Sequence, residues 1–143
     1  MNLYFDSAYV AKCYVNEPDS TPVRRVARDA DQLCSSIWCL PEVACVFHRH
    51  VREKSLSVEQ VCRLQKAFRL DRENGVWQVL PVTEDLLRRV EALVRKLPAS
   101  LLVRAGDAVH LVSARDAGFH DIWSNDRRLL AAAPYFDLKG RTP

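Results

Sequence analysis

The chain has 143 residues, 48% of them hydrophobic and 27% charged, with a net charge of +3. That length suits one globular domain over residues 1–143, and so small a net charge does not by itself mark a nucleic-acid-binding protein. Met1 to Asp6 lack the basic region and long apolar run of a signal peptide, and no apolar stretch approaches the ~18 residues of a membrane span, so the expected location is the cytoplasm.

In chain order, Leu3-Tyr4-Phe5 is a short apolar run that stops at Asp6, and Ala8, Val10, Ala11, Tyr14 and Val15 continue at helical spacing. That predicts a strand followed by a helix. Residues 32–36 read as a second strand, before a helix from about Pro41 whose stripe is Val43, Val46, Phe47 and Val51. A further helix from Ser57 to about Arg72 carries Val58, Val61, Cys62 and Phe68 but also Leu64, Ala67 and Leu70, so it can bury one face in the core and offer a second to a partner. Residues 76–82 predict a third strand. Thr83, Glu84 and Asp85 open the next helix, in which the acids serve as ordinary caps. Gly106-Asp107 opens another, residues 120–124 predict a fourth strand before a helix over 126–132, and a last strand falls around Phe136-Asp137-Leu138.

Strands alternating with helices imply parallel pairing through right-handed crossovers, hence an α/β, three-layer α/β/α architecture around a parallel sheet of about five strands. In such a fold strand C-termini and helix N-termini share one rim, where ligands bind. Asp6, Glu42, Asp107 and Asp126 all map to that rim. Any one of them reads as a cap, but Asp6 ends an apolar strand where a buried carboxylate needs a partner. Together they would repel one another unless a cation neutralised them, which points to metal. The five cysteines form no Cys-x-x-Cys pair and are expected as small buried hydrophobes. His48 and His50 point to different helix faces, so no zinc site is expected. Most basic clusters read as solvated helix faces; Arg127 and Arg128 differ in following a candidate ligand, where one could reach a phosphate.

The segments Leu3-Tyr4-Phe5-Asp6-Ser7-Ala8, Pro41-Glu42-Val43, Gly106-Asp107-Ala108-Val109-His110-Leu111 and Ser124-Asn125-Asp126-Arg127-Arg128-Leu129 stand in the order and spacing of a PIN domain. Over nearly the whole chain the sequence resembles the VapC toxins of toxin-antitoxin pairs. The resemblance implies a Mg²⁺-dependent endoribonuclease, with Mn²⁺ as a substitute, that hydrolyses RNA phosphodiesters with metal-activated water. It implies Asp6 and Asp107 as the firmest ligands, and Glu42 and Asp126 binding directly or through water. Ser7 and Ser124 would orient a water, hold a phosphate or serve as turn residues, with Asn125 and Arg127 also on the substrate side. Asp116 or Asp121 could add a further acid near the fourth motif. Implied partners are RNA, a cognate antitoxin that sets an Arg against the carboxylates, and a second copy of the chain, with no membrane. A haloacid-dehalogenase-like phosphotransferase would need an acid at Ala8, and a phosphate-binding nucleotidase a glycine-rich loop that four glycines do not form. The stronger alternative is a catalytically weak or inactive module of the same fold that binds RNA or protein.

Overall fold

The computed structural model describes residues 1–143. In chain order the elements are β1 (Asn2–Tyr4), α1 (Ser7–Lys12), α2 (Ser20–Arg28), β2 (Gln32–Ser36), α3 (Cys39–Arg52), α4 (Val58–Glu73), β3 (Trp77–Leu80), α5 (Glu84–Val94), α6 (Ala105–Asp116), β4 (Asp121–Trp123), α7 (Arg127–Ala132), a 3₁₀ turn (Ala133–Phe136) and β5 (Lys139–Arg141). No helix is long and apolar enough to cross a membrane.

All strand pairs are parallel. β2 lies between β1 and β3, with Leu3 opposite Leu33 and Leu33 opposite Trp77, while β4 pairs with β5. The expected sheet of about five strands is thus a three-stranded and a two-stranded ladder. A single bridge between Phe5 and Trp123, beside an Asp6 N–H that donates to the Trp123 carbonyl at 3.1 Å, sets β1 next to β4.

The period-2 alternation of strand side chains sorts the core into two halves. Leu3, Phe5 and Leu33 face Tyr9, Val10, Val43, Phe47, Phe68 and Trp77, from α1, α3, α4 and β3. Tyr4 and Cys34 face the opposite way, toward Leu86, Val109, Leu111, Val112, Leu129 and Phe136, from α5, α6, α7 and the 3₁₀ turn. Helices therefore cover both faces of the sheet. α6 is buried from Ala108 to Ala114, which anchors its first turn, Ala105 to Asp107, at the rim.

Several boundaries differ from the sequence expectation. The third strand is shorter, Trp77–Leu80, because Pro81 has no N–H to continue the ladder. The last strand is Lys139–Arg141 rather than 136–138: Phe136 belongs to the 3₁₀ turn, Asp137 adopts φ 59°, and Leu138 is buried just before the strand. Gly140 is fitted to this place, since a Cβ there would lie 2.6 Å from Leu130 Cδ2. On α4 only Phe68 is fully buried, and Val58 and Leu70 are exposed. Cysteine burial is mixed: Cys34 and Cys39 are buried, whereas Cys45 and Cys62 are exposed and so are not core residues.

Candidate active site

At the rim the chain turns from β1 into α1 at Asp6, which caps the helix: its Oδ1 accepts the Tyr9 N–H at 2.9 Å. The other oxygen accepts the Ser124 hydroxyl at 2.5 Å. Ser124 Oγ in turn accepts the Asp126 N–H at 2.9 Å, so one buried hydroxyl ties the end of β1 to the loop after β4. Burial pushes the Asp6 carboxyl up to about 6 from 3.8, and the Asp107 charge adds to the rise, although Ser124, His110 and the Tyr9 amide oppose it.

Glu42 stands in the first turn of α3. Its Oε1 accepts the Ser7 hydroxyl at 2.8 Å and faces His110 Nε2 at 2.9 Å. A carboxylate only accepts, so Nε2 carries the hydrogen toward Glu42. His110 Nδ1 meets the Tyr4 hydroxyl at 2.9 Å, and that hydroxyl accepts the Ser36 N–H at 3.0 Å. Burial would raise the Glu42 carboxyl, but the His110 and Ser7 contacts outweigh it and hold the group below its ordinary value. His110 is 2% exposed and was given no role from sequence; its signal is a polar side chain inside the apolar run of α6.

Gly106 lets α6 begin close against this group. A Cβ there would lie 3.0 Å from Trp38 Nε1 and 3.1 Å from Glu42 Oε2. One residue on, Asp107 is held above its ordinary value by burial first and by the Asp126 charge second, with Arg104 opposing. Asp126 caps α7, its Oδ1 accepting the Arg128 N–H at 2.8 Å. Its Oδ2 accepts from Arg104 Nη2 at 2.8 Å, and Asp107 Oδ2 accepts from Arg104 Nε at 3.4 Å. Arg104 also escaped the sequence reading, which sought clusters of positive charge, whereas its signal is a lone cation three residues before an acid.

Asp6, Glu42, Asp107 and Asp126 line a single open cavity of about 550 Å³ together with Ser7, Trp38, Arg104 and His110. Ser124 lies behind Asp6, fully buried. Asn125 and Arg127 are exposed beyond the cavity wall. Asp116 pairs with Arg89 at 2.6 Å and Asp121 with Arg141 at 3.1 Å, and neither lines the cavity. No three His, Cys, Asp or Glu side chains are drawn together as a finished metal cage, and Arg104 occupies the space between two of the acids. The wall also carries Cys45 and His110, the latter with both ring nitrogens engaged by Tyr4 and Glu42, but its four carboxylates offer oxygen donors suited to a hard divalent ion that keeps several of its waters.

Among solved structures, VapC20 of Mycobacterium tuberculosis, a toxin that cleaves the sarcin-ricin loop, superposes with a TM-score of 0.70 at 16% identity, over 96% of this chain and 98% of that one. VapBC2 of Rickettsia felis, solved bound to a DNA fragment from its promoter, gives a TM-score of 0.66 at 12% identity, over 99% of this chain and 98% of the other. At these identities the likeness is one of fold. No curated protein matches the sequence. The sequence profile of the PIN domain matches residues 3–134, nearly the whole chain, and the chain belongs to the PIN domain family.

Proposed function

We propose that this protein is a divalent-metal-dependent endoribonuclease and the toxin of a toxin-antitoxin pair. The observation that carries this reading is the convergence of Asp6, Glu42, Asp107 and Asp126, from four separate segments, on one cavity. Mg²⁺ suits these four carboxylates, and Mn²⁺ suits them as well. When bound, such an ion supplies an activated water at neutral pH and stabilises the charge that develops on the phosphate.

The chain's own residues supply the rest. Ser124 and the Tyr9 amide fix Asp6, and Ser7 and His110 fix Glu42, so both carboxylates present a preset orientation. Asp107 stands in the first turn of α6, directly before its buried stretch. Trp38, 39% exposed, borders the cavity with Pro41 and Val46 and offers an apolar face against which an unpaired base can stack. Asn125 and Arg127, exposed on either side of Asp126 in the chain, would meet backbone phosphates in this reading.

The partners follow the same reading. One solved neighbour is the toxin VapC20 and the other is named VapBC2, which supports an antitoxin as partner; a second copy of the chain belongs to the same reading. RNA cleavage in Mg²⁺ and in EDTA, by wild type and Asp107→Asn, tests the catalytic claim. Hydrolysis by water leaves no 2′,3′-cyclic phosphate, and one oxygen from ¹⁸O-water enters a product phosphate. A cyclic phosphate product, or equal rates in Mg²⁺ and EDTA, would refute it.

A further inference from the structure

Arg104 is the only Lys or Arg in the cavity wall. It immediately precedes α6 in extended backbone, φ −100° and ψ 156°, and its side chain is 61% exposed. Its polar contacts are with Asp126 at 2.8 Å and Asp107 at 3.4 Å. So exposed a side chain is not wedged in place by packing; the two carboxylates hold it. The Asp107 and Asp126 side chains are less open, 15% and 28% exposed, but with the guanidinium in solvent these pairs remain readily exchanged. A divalent ion placed among the same carboxylates would satisfy both and leave the guanidinium without partners. Arg104 would remain anchored at the mouth of the cavity, with a planar fork of N–H donors that matches a phosphate in two-point contact.

From this geometry we infer that Arg104 is an exchangeable counter-ion. It neutralises Asp107 and Asp126 while the site holds no metal, and it passes to an RNA phosphate when a divalent ion takes its place. This rests on the ribonuclease reading above, and it adds a substrate-binding residue together with competition between that residue and the metal. The two halves move in opposite directions when the side chain is removed. A residue that merely braced α6 would weaken both metal and RNA binding.

The test measures two affinities in wild type, Arg104→Ala and Arg104→Gln. Calorimetry with Mn²⁺ and no RNA is expected to show binding about three- to tenfold tighter in both variants, since they lose a weak competing pair. Binding of a short unpaired RNA oligonucleotide in Ca²⁺ is expected to weaken about ten- to a hundredfold, the loss of a charge-assisted contact. Arg104→Lys, which keeps the charge without the fork, is expected to restore the competition with Mn²⁺ and only part of the RNA affinity. Unchanged or weaker Mn²⁺ binding in both neutral variants overturns the counter-ion half. Unchanged RNA affinity overturns the transfer. A wild type that neither binds nor cleaves RNA defeats the ribonuclease reading and the transfer with it, and the Mn²⁺ titration then still decides the counter-ion half.

Discussion

Replacing Asp6 by Asn removes the charge with the least room for it. The Asp6 carboxyl is 4% exposed, and burial lifts it to about 6 in the folded chain from 3.8. A carboxyl whose folded value is raised favours folding at low pH, where it is protonated in both states. That advantage is lost as pH climbs from about 4 to 6, because the unfolded chain gives up the proton first. A tenfold change in proton affinity is worth about 1.4 kcal/mol, so the buried charge costs about 3 kcal/mol above pH 7. Asparagine keeps the size and still accepts from the Tyr9 amide, so Asp6→Asn is expected to be more stable by up to that amount at pH 8 in EDTA. For a chain of this length that is a rise in Tm of about 10 °C. Near pH 4 the two proteins should melt together. Saturating Mg²⁺ should close the pH 8 gap by stabilising wild type alone, while RNA cleavage by the variant is lost. Thermal melts across pH 4 to 8 check this. A variant less stable than wild type at pH 8, with the same deficit at pH 4, would refute the reasoning by showing that Asp6 is an ordinary structural cap.

Gly106→Ala should leave stability close to wild type, because up to about 1 kcal/mol of helix propensity is set against the cost of moving the Trp38 and Glu42 side chains aside. Its Cβ would nevertheless crowd Glu42 Oε2 and Trp38 Nε1, so cleavage should fall while melting does not; equal activity would show that the close approach is incidental. His110→Leu leaves the Tyr4 hydroxyl and Glu42 short of a partner and should lower stability in urea by about 1–3 kcal/mol. His110→Gln retains a donor toward Glu42 and should recover part of both stability and cleavage, whereas a Gln variant no better than Leu would separate Glu42 from this contact.

Much of this arrangement is legible in the sequence because strand and helix periodicities end at abrupt acidic residues. Asp6 stops the run Leu3-Tyr4-Phe5, and Asp126 follows a strand through Ile122 and Trp123, so both can be placed on the rim before any coordinates are known. Glu42 and Asp107 are readable as first-turn residues of their helices for the same reason. The last strand is not, because Lys139-Gly140-Arg141 has no apolar alternation; it forms by pairing with β4 and by letting Leu130 pack over a glycine. Nor are the polar contacts that steady the site. Ser124 reaches Asp6 across 118 residues and His110 reaches Glu42 across 68, distances over which local spacing carries no information. Arg104 is hidden for a different reason: its acidic partners are close in space, and only Asp107 is close in sequence.

The carboxylate cluster as a metal site is tested most directly by anomalous diffraction from crystals soaked in Mn²⁺. The expected result is a Mn²⁺ peak in the cavity bounded by Asp6, Glu42, Asp107 and Asp126, with the Arg104 guanidinium withdrawn from Asp107 and Asp126. A fully soaked crystal with no peak there, and with Arg104 still bridging the two acids, would contradict it.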